Sequence, residues 1–350
     1  MHMSDALMTP AVGAAMWGAT AVATAYCAKK VREDLDESKV PLMGVAGAFV
    51  FAAQMLNFAI PGTGSSGHIG GGLLLTALLG PHAAFLVIAS VLGVQALFFA
   101  DGGLIALGAN IFNLGFFPAF VAYPLIYRLI VGTHPTKSRI VAASVLAAVT
   151  GLLLGATAVV LQTTASGISE LPFAAFLLMM LPIHLAIGVI EGLITAGVLL
   201  FIRSAQPEIL DHAATGRPLA GLSVRPVVTG LLLAALMTGG VLAWFASANP
   251  DGLEWSIERV AGTSEIQGAA APAHQSAGEV QRRLSFLPDY ALPADAEEPA
   301  GGGDETWPVV DLATTTAGIV GGAITLGLAV AIGSVLRRRS ATRAGAGGEA

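Results

Sequence analysis

The first five residues, Met1-His2-Met3-Ser4-Asp5, carry the donor atoms of a metal chelator. A free Met1 amine, the His2 amide nitrogen and a ring nitrogen of His2 can close fused chelate rings around one divalent ion. Strong nitrogen donors in one plane favour tetragonal Ni²⁺ or Cu²⁺. A start codon followed by an arbitrary residue is the alternative interpretation.

His68 is the candidate fourth ligand, at the end of the glycine-rich stretch 62–68. One nitrogen from His68 would complete a planar set of four nitrogens, which suits Ni²⁺ better than the tetrahedral preference of Zn²⁺. The neighbouring glycines permit close backbone approach. A histidine that only caps a turn or bonds water at the membrane interface is the alternative.

Further polar residues lie beside the chelator or within apolar stretches, where such groups are costly and usually functional. We expect them either to orient the ligands or to satisfy one another within the bundle. His184 and Glu191 are seven residues apart, and so share one helix face. The full set is Asp5, Gln54, Asn57, Asp101, Asn110, His184 and Glu191.

The composition determines the surroundings of these residues. Hydrophobic residues make up 55% of the 350 residues and charged residues only 11%, with a mean hydropathy of +0.75. Such a chain buries most of its surface in lipid or in itself, which predicts an all-α polytopic membrane protein. The single Cys27 is expected to be a small hydrophobe.

Nine apolar segments are predicted to enter the membrane. Segment 68–79 is too short to span and precedes Gly80-Pro81, so we expect a tight helical hairpin with one half-inserted arm there. The first seven form one bundle and the last two a separate pair. The segments are 9–28, 41–60, 68–79, 81–100, 103–130, 139–163, 171–202, 225–246 and 313–336.

The charge distribution predicts the orientation. With the N-terminus outside, fourteen of the seventeen basic residues fall on the cytoplasmic side. The three outside, Arg259, Arg282 and Arg283, lie in a loop long enough to escape the positive-inside bias. The sequence therefore predicts an outer N-terminus, an outer His2 and a cytoplasmic C-terminus.

The predicted domains follow these segments. Residues 1–203 form the metal-binding bundle, 204–224 a cytoplasmic linker, 225–340 a two-span unit and 341–350 a cytoplasmic tail. The outer loop 247–312 carries twelve acidic and three basic residues, and we expect little fixed structure in it. It is either a solvated connector or an acidic lid that attracts cations.

The sequence gives little support to catalysis. The His184 and Glu191 spacing is not the His-Glu-x-x-His of a zinc protease, and neither a Ser-His-Asp order nor a phosphate-binding loop stands out. Any use of ATP must therefore come from a partner protein.

Several motifs together resemble the cobalt/nickel substrate-binding component (CbiM/NikM type) of energy-coupling factor transporters. The resemblance covers residues 1 to about 203, and Asn249-Pro-Asp-Gly-Leu-Glu254 resembles the PDGLE signature of a NikN-type accessory subunit. The motifs are Met1-His2, the block 48–58, Gly67-His68, Leu79-Gly-Pro81, Asp101-Gly-Gly-Leu104, Gly108-Ala-Asn110 and His184 to Gly192.

The resemblance implies a metal site of Met1, His2 and His68 in a bacterial plasma membrane protein. It implies no tightly bound cofactor, with Ni²⁺ or Co²⁺ as the cargo, for cobalamin or nickel-enzyme synthesis. The implied partners are membrane lipid, a transmembrane coupling (T) component and two ATP-binding cassette ATPase subunits, with no nucleic acid. Met3-Ser4 replaces the family's usual Ile-Pro and Ala6 its Gly, which bears on how the terminus is held.

Two other classes of function stay open. A channel or secondary carrier would move metal without ATP. A membrane metalloenzyme would need an open coordination position beside a base, which a filled planar site does not offer.

Overall fold

A computed structural model describes residues 2–34, 37–132, 135–215, 217–219, 221–263, 266, 271–292 and 307–346, with only the backbone described at 34 and 338–346. Met1 lies outside the described residues. The fold is almost entirely helical, which confirms the predicted class. The helices are α1 (Pro10–Asp34), α2 (Lys39–Gln54), α3 (Gly72–Leu79), α4 (Pro81–Phe98), α5 (Leu107–Ile111), α6 (Arg128–Val131), α7 (Lys137–Ser166), α8 (Phe173–Ala205), α9 (Pro207–Thr215), α10 (Arg225–Gly240), α11 (Gly252–Ala261), α12 (Pro272–Leu284) and α13 (Leu312–Ala346).

Six helical segments within the described residues are long and apolar enough to cross a membrane. One runs from Leu107 to Val131 through α5, the π-helical segment Phe112–Tyr127 and α6. The others are Pro10–Glu33, Pro81–Phe98, Lys137–Ser166, Phe173–Ala205 and Leu312–Arg337. Helices α2 and α10 are apolar but shorter. The chain is therefore a multi-span membrane protein.

The short arm predicted before Gly80-Pro81 is present. Helix α3 has eight residues, about 12 Å at 1.5 Å per residue, which is under half of a bilayer core. Gly80 has a positive φ of 83° and Pro81 begins α4. The proline can occupy the first helical position because that position needs no intrahelical hydrogen bond from its nitrogen.

Glycines set the closest helix contacts. In α8, a Cβ on Gly188 would lie 2.8 Å from Val149 Cα in α7, and one on Gly192 would overlap the Val145 backbone. Gly318 of α13 likewise meets the backbone of Gly239 in α10. Small residues at these crossings let membrane helices pack backbone to backbone.

Four alanines of α1 do not pack into the bundle. Ala15, Ala19, Ala21 and Ala25 are all exposed. These four alanines therefore lie on the face of α1 that points away from the bundle. Helix α1 is instead fixed by Trp17, whose Nε1 donates to Leu104 O at 2.9 Å.

A two-stranded antiparallel hairpin follows α2, and its first strand lies at the end of the predicted segment 41–60. Strand β1 (Phe58–Ile60) pairs with β2 (Ser65–Gly67), with Ala59 opposite Ser66. Gly62 and Gly64 take positive φ values of 77° and 73° in the turn. The hairpin presents His68 directly after β2.

The acidic segment 247–312 departs from the prediction. Limited fixed structure is wrong for α11 and α12, which are helices that contact the bundle. Asp251 caps α11 through Leu253 N and Glu254 N, while Glu254 accepts from Asp251 N. This reciprocal capping and the burial of Leu253 and Ile257 explain why the helix forms. Residues 264–265, 267–270 and 293–306 of this segment lie outside the described residues.

The predicted linker 204–224 also contains helix. Helix α9 follows α8 after a one-residue break, and its Ile209 is buried. Leu219 is buried as well, so the described part of this segment packs against the bundle.

Candidate metal site

The N-terminal segment 2–8 enters the fold as an arm in which Asp5–Leu7 form a short 3₁₀ helix. The side-chain amide of Asn110 holds Met3 on both sides, because Met3 N donates to Asn110 Oδ1 at 2.9 Å and Asn110 Nδ2 donates to Met3 O at 3.1 Å. Gly103 N also donates to Met3 O at 2.9 Å. Asp5 accepts from Ala106 N at 3.0 Å. These contacts fix the backbone next to His2.

The imidazole rings of His2 and His68 are stacked. Their centroids are 5.0 Å apart and their planes differ by 20°. Nδ1 of His2 lies 2.9 Å from Oδ1 of Asp101. Nε2 of His2 is buried and has no hydrogen-bond partner within the described part of the chain. A buried nitrogen without a partner is costly, so the hydrogen bonding of this ring is incomplete within the described residues.

The electrostatics of the pair suit a cation. Removal from water, with the adjacent His2, lowers the pKa of His68 to about 3, so the ring is in the neutral form that binds metals. Burial alone would raise the pKa of Asp101, but His2 and the Tyr290 hydroxyl hold it well below its usual range. Asp101 therefore stays charged beside the two rings.

Helix α8 holds the loop that carries His68. Glu191 accepts the backbone N–H groups of Gly70 at 2.9 Å and Gly71 at 3.0 Å. From α2, Gln54 Nε2 donates to Gly70 O at 2.8 Å. His68 Nδ1 lies 3.0 Å from Ile69 O, which directs the opposite ring nitrogen away from its own backbone.

The Pro250-Asp251-Gly252 turn docks against the same loop. Ser66 N donates to Pro250 O at 2.8 Å, and the Ser66 hydroxyl donates to Asn249 O at 2.7 Å. Trp255 Nε1 donates to Thr63 O at 3.0 Å in the hairpin turn. The two-span unit therefore contacts the loop that bears the candidate ligand.

A small cavity lies beneath this turn. His68, His184 and Asp251 line it, together with Gly67, Gly70, Leu114, Leu152, Ile187 and Gly252. The His184 ring is tied to its own helix, because Nδ1 lies 2.8 Å from Met180 O. No set of three His, Cys, Asp or Glu side chains among the described residues could hold a metal ion.

Other parts of the acidic segment 247–312 cover the N-terminal arm. From α12, Gln281 Nε2 donates to Gly102 O at 2.7 Å, and His274 Nε2 lies 2.9 Å from Met8 O. The Tyr290 hydroxyl donates to Asp101 Oδ2 at 2.6 Å. Sequence reasoning missed Tyr290, since nothing in the residues around it indicates this partner.

The candidate residues thus fall into groups. His2 and His68 are adjacent, and Asp101 bonds His2. Asp5 and Asn110 hold the arm, while Gln54 and Glu191 hold the His68 loop. Asn57 is joined to the two-span unit through its carbonyl, which accepts from Ser247 N at 2.8 Å, and its buried side-chain Oδ1 has no hydrogen-bond partner among the described residues.

Family comparisons match two regions of the chain. The family model described as the cobalt uptake substrate-specific transmembrane region, CbiM, matches residues 2–209. The PDGLE domain model matches residues 225–338. Both parts of the resemblance found in the sequence are confirmed.

Individual relatives cover the whole chain or its first part. A protein of Archaeoglobus fulgidus assigned as a fused nickel transport protein, NikMN, is 33% identical over 95% of this chain and 98% of the relative. A Sorangium cellulosum cobalt transport protein, CbiM, is 33% identical over 64% of this chain and all of the relative. The crystal structure of a truncated transition metal transporter superposes with a TM-score of 0.52 at 30% identity, covering 58% of this chain and 99% of that one.

Proposed function

This chain belongs to the CbiM family of cobalt uptake transmembrane regions, with a fused PDGLE domain, and we propose that it is the substrate-specificity component of an ATP-driven energy-coupling factor transporter for Ni²⁺ or Co²⁺. One observation carries the proposal. The stacked His2 and His68 rings include a buried nitrogen, His2 Nε2, that has no hydrogen-bond partner among the described residues. The names of its relatives, which include nickel and cobalt transport proteins, support metal as the cargo.

The proposed ligands are the Met1 amine, the His2 amide nitrogen, a His2 ring nitrogen and a His68 ring nitrogen. The amide can bind only after losing its proton, and such a strong donor in a planar set favours Ni²⁺ over metals that prefer tetrahedral sites. His2 and His68 offer two imidazole ligands, and Asp101 supplies a negative charge next to them.

ATP hydrolysis would be carried out by two ATPase subunits, coupled through a transmembrane T component. Uptake that continues after ATP is depleted, with the membrane potential intact, would instead favour a channel or secondary carrier.

We propose that the N-terminus lies outside, together with the turn Pro250-Asp251-Gly252, which we call the PDGLE turn. The C-terminus then lies in the cytoplasm. The native Cys27 is buried, so an added cysteine would dominate labelling by a membrane-impermeant maleimide. We expect Glu258→Cys to react in intact cells and Arg217→Cys only after lysis. The reverse pattern would contradict the orientation.

The test of the site is a titration of the purified chain with Ni²⁺ and Co²⁺. We compare the wild type with a variant that has one residue added before Met1, and with His2→Ala and His68→Ala. All three variants should lose high-affinity binding, while His212→Ala, a histidine on α9, should keep it. Unchanged binding by the extended variant would remove the N-terminal amine from the site.

A further inference from the structure

We propose that Tyr290 of the PDGLE unit is a positioning residue for the metal ligand His2, acting through Asp101. The inference rests on the proposed function of His2 as a ligand. Its core is a chain of two contacts: Tyr290 Oη to Asp101 Oδ2 at 2.6 Å, and Asp101 Oδ1 to His2 Nδ1 at 2.9 Å. Each carboxylate oxygen thus has its own partner, one from each part of the protein.

The backbone around these contacts is strained. The described residues include three non-glycine positions with positive φ: Ala100 at 55°, Asp289 at 51° and Tyr290 at 63°. Residues that carry a side chain rarely adopt this backbone conformation. Each one destabilises the fold by on the order of 1–3 kcal/mol and persists only where the surrounding structure enforces it. All three lie at or next to the Tyr290–Asp101 hydrogen bond, which points to a geometry maintained for that contact.

Neighbouring contacts hold both strained segments in place. Asp289 N donates to Phe99 O at 2.8 Å, and Leu287 N donates to Phe98 O at 3.3 Å. The Tyr290 ring stacks on Phe99 with centroids 5.1 Å apart. Gln281 Nε2 bonds both Ala96 O and Gly102 O, on either side of Asp101. The hydroxyl is therefore aimed by a rigid frame.

The chemistry of a metal-binding imidazole explains why such a frame matters. A carboxylate on one ring nitrogen fixes the ring and leaves the other nitrogen to the metal. In the structure Asp101 holds Nδ1 instead, the nitrogen that a chelate shared with the His2 amide would give to the metal. Asp101 therefore positions the ring before the metal binds, and Tyr290 keeps the carboxylate beside the ring.

A purely structural role for Tyr290 is the rival explanation. The ring of Tyr290 packs on Phe99 and Phe51 whether or not the hydroxyl is present. Tyr290→Phe keeps that packing and removes only the hydrogen bond. Tyr26→Phe is the matched control, because Tyr26 is half exposed on α1 and stacks edge-on with His82.

The experiment measures Ni²⁺ affinity and the visible absorption band of the bound Ni²⁺ on the full-length chain. Tyr290→Phe should weaken binding by about 10-fold, within the 10- to 100-fold range for groups that orient metal ligands, and should shift the band. Tyr26→Phe should change neither. Once Asp101→Asn is present, adding Tyr290→Phe should cost nothing further, because the two residues act as one unit.

The outcomes separate this inference from the proposed function. Wild-type affinity and an unshifted band in Tyr290→Phe, with binding lost in His2→Ala, would overturn the positioning role alone. Equal and additive losses from Tyr290→Phe and Asp101→Asn would also overturn it. Wild-type binding by His2→Ala would instead overturn the proposed site.

Discussion

The carboxylate of Glu191 lies 2.9 Å from the backbone nitrogen of Gly70, although the two residues are 121 positions apart in the sequence. Its second oxygen accepts from Gly71 N at 3.0 Å. One buried acidic side chain in α8 thus fixes the backbone that follows His68 by two hydrogen bonds.

Glu191→Gln should therefore weaken both fold and site. The amide oxygen can accept from only one of the two glycines, and its NH₂ group then faces the other donor. A buried donor left without a partner costs about 1–3 kcal/mol. We expect a lower midpoint of thermal unfolding and weaker Ni²⁺ binding. Glu258→Gln, on the exposed face of α11, is the control and should match the wild type in both measurements.

Gly103→Ala should disorganise the N-terminal arm. A Cβ at Gly103 would overlap the Asp5 carboxylate and crowd Asp5 N, and Gly103 N also bonds Met3 O. We predict loss of high-affinity Ni²⁺ binding in the same titration. Gly18→Ala is the control, because nothing lies within 4 Å of its Cβ position in α1. Retained binding by Gly103→Ala would mean that the arm does not position His2.

Gly252→Ala should loosen the docking of the PDGLE turn. The new methyl group would lie 2.9 Å from Ile187 Cδ1 and 3.2 Å from His184 Cε1. We expect faster amide hydrogen exchange at Ser66, whose N–H donates to Pro250 O, and in α11. Gly278→Ala in α12 adds its methyl group to open space and should leave that exchange unchanged. Unaltered exchange in Gly252→Ala would show that the turn accommodates a side chain.

The start of α13 should respond to acid through Asp311. Burial works to raise its pKa, but hydrogen bonds from Thr314 and Ala313 outweigh it and lower the pKa below the usual value. A carboxyl group whose pKa is lowered by folding stabilises the protein at pH values above its pKa in the unfolded chain, about 3.9. This stabilisation is lost as the pH falls through the pKa of the folded state. The cap itself is worth about 1 kcal/mol.

The measurement compares thermal unfolding of the wild type, Asp311→Ala and Asp311→Asn at pH 7 and pH 3. The alanine variant should be less stable than the wild type at pH 7, with the gap narrower at pH 3. Asparagine also caps helices but does not titrate, so the stability of Asp311→Asn relative to alanine should stay the same at both pH values. A gap between wild type and alanine that does not change with pH would contradict the role of the charge.

Several features could be predicted from local sequence. Long apolar stretches gave the spanning helices, and Gly80-Pro81 gave the short α3 arm, because each depends on neighbouring residues. Polar residues within apolar segments marked Gln54, Asn110 and Glu191, which the structure finds in hydrogen bonds around the arm and the His68 loop.

Other features depend on contacts that no local pattern encodes. The hydrogen bond from Tyr290 to Asp101 joins residues 189 positions apart. The acidic composition of 247–312 predicted little structure because average hydrophobicity hid the buried Leu253, Ile257 and Leu287.

The Asp251 and Glu254 spacing of a capping box, in contrast, was a local signal from which the start of α11 could have been predicted.

Helices α10 and α13 both pack on α2. They flank the segment 241–311, which contains the PDGLE turn. Its contacts with the His68 loop therefore form within one molecule, at an effective concentration that reaches the millimolar range for short tethers. Each contact can be weak by itself, because a turn that detaches is held close enough to rebind at once. A separate PDGLE peptide would compete only at comparable concentrations, and the fused chain keeps one turn for every candidate metal site.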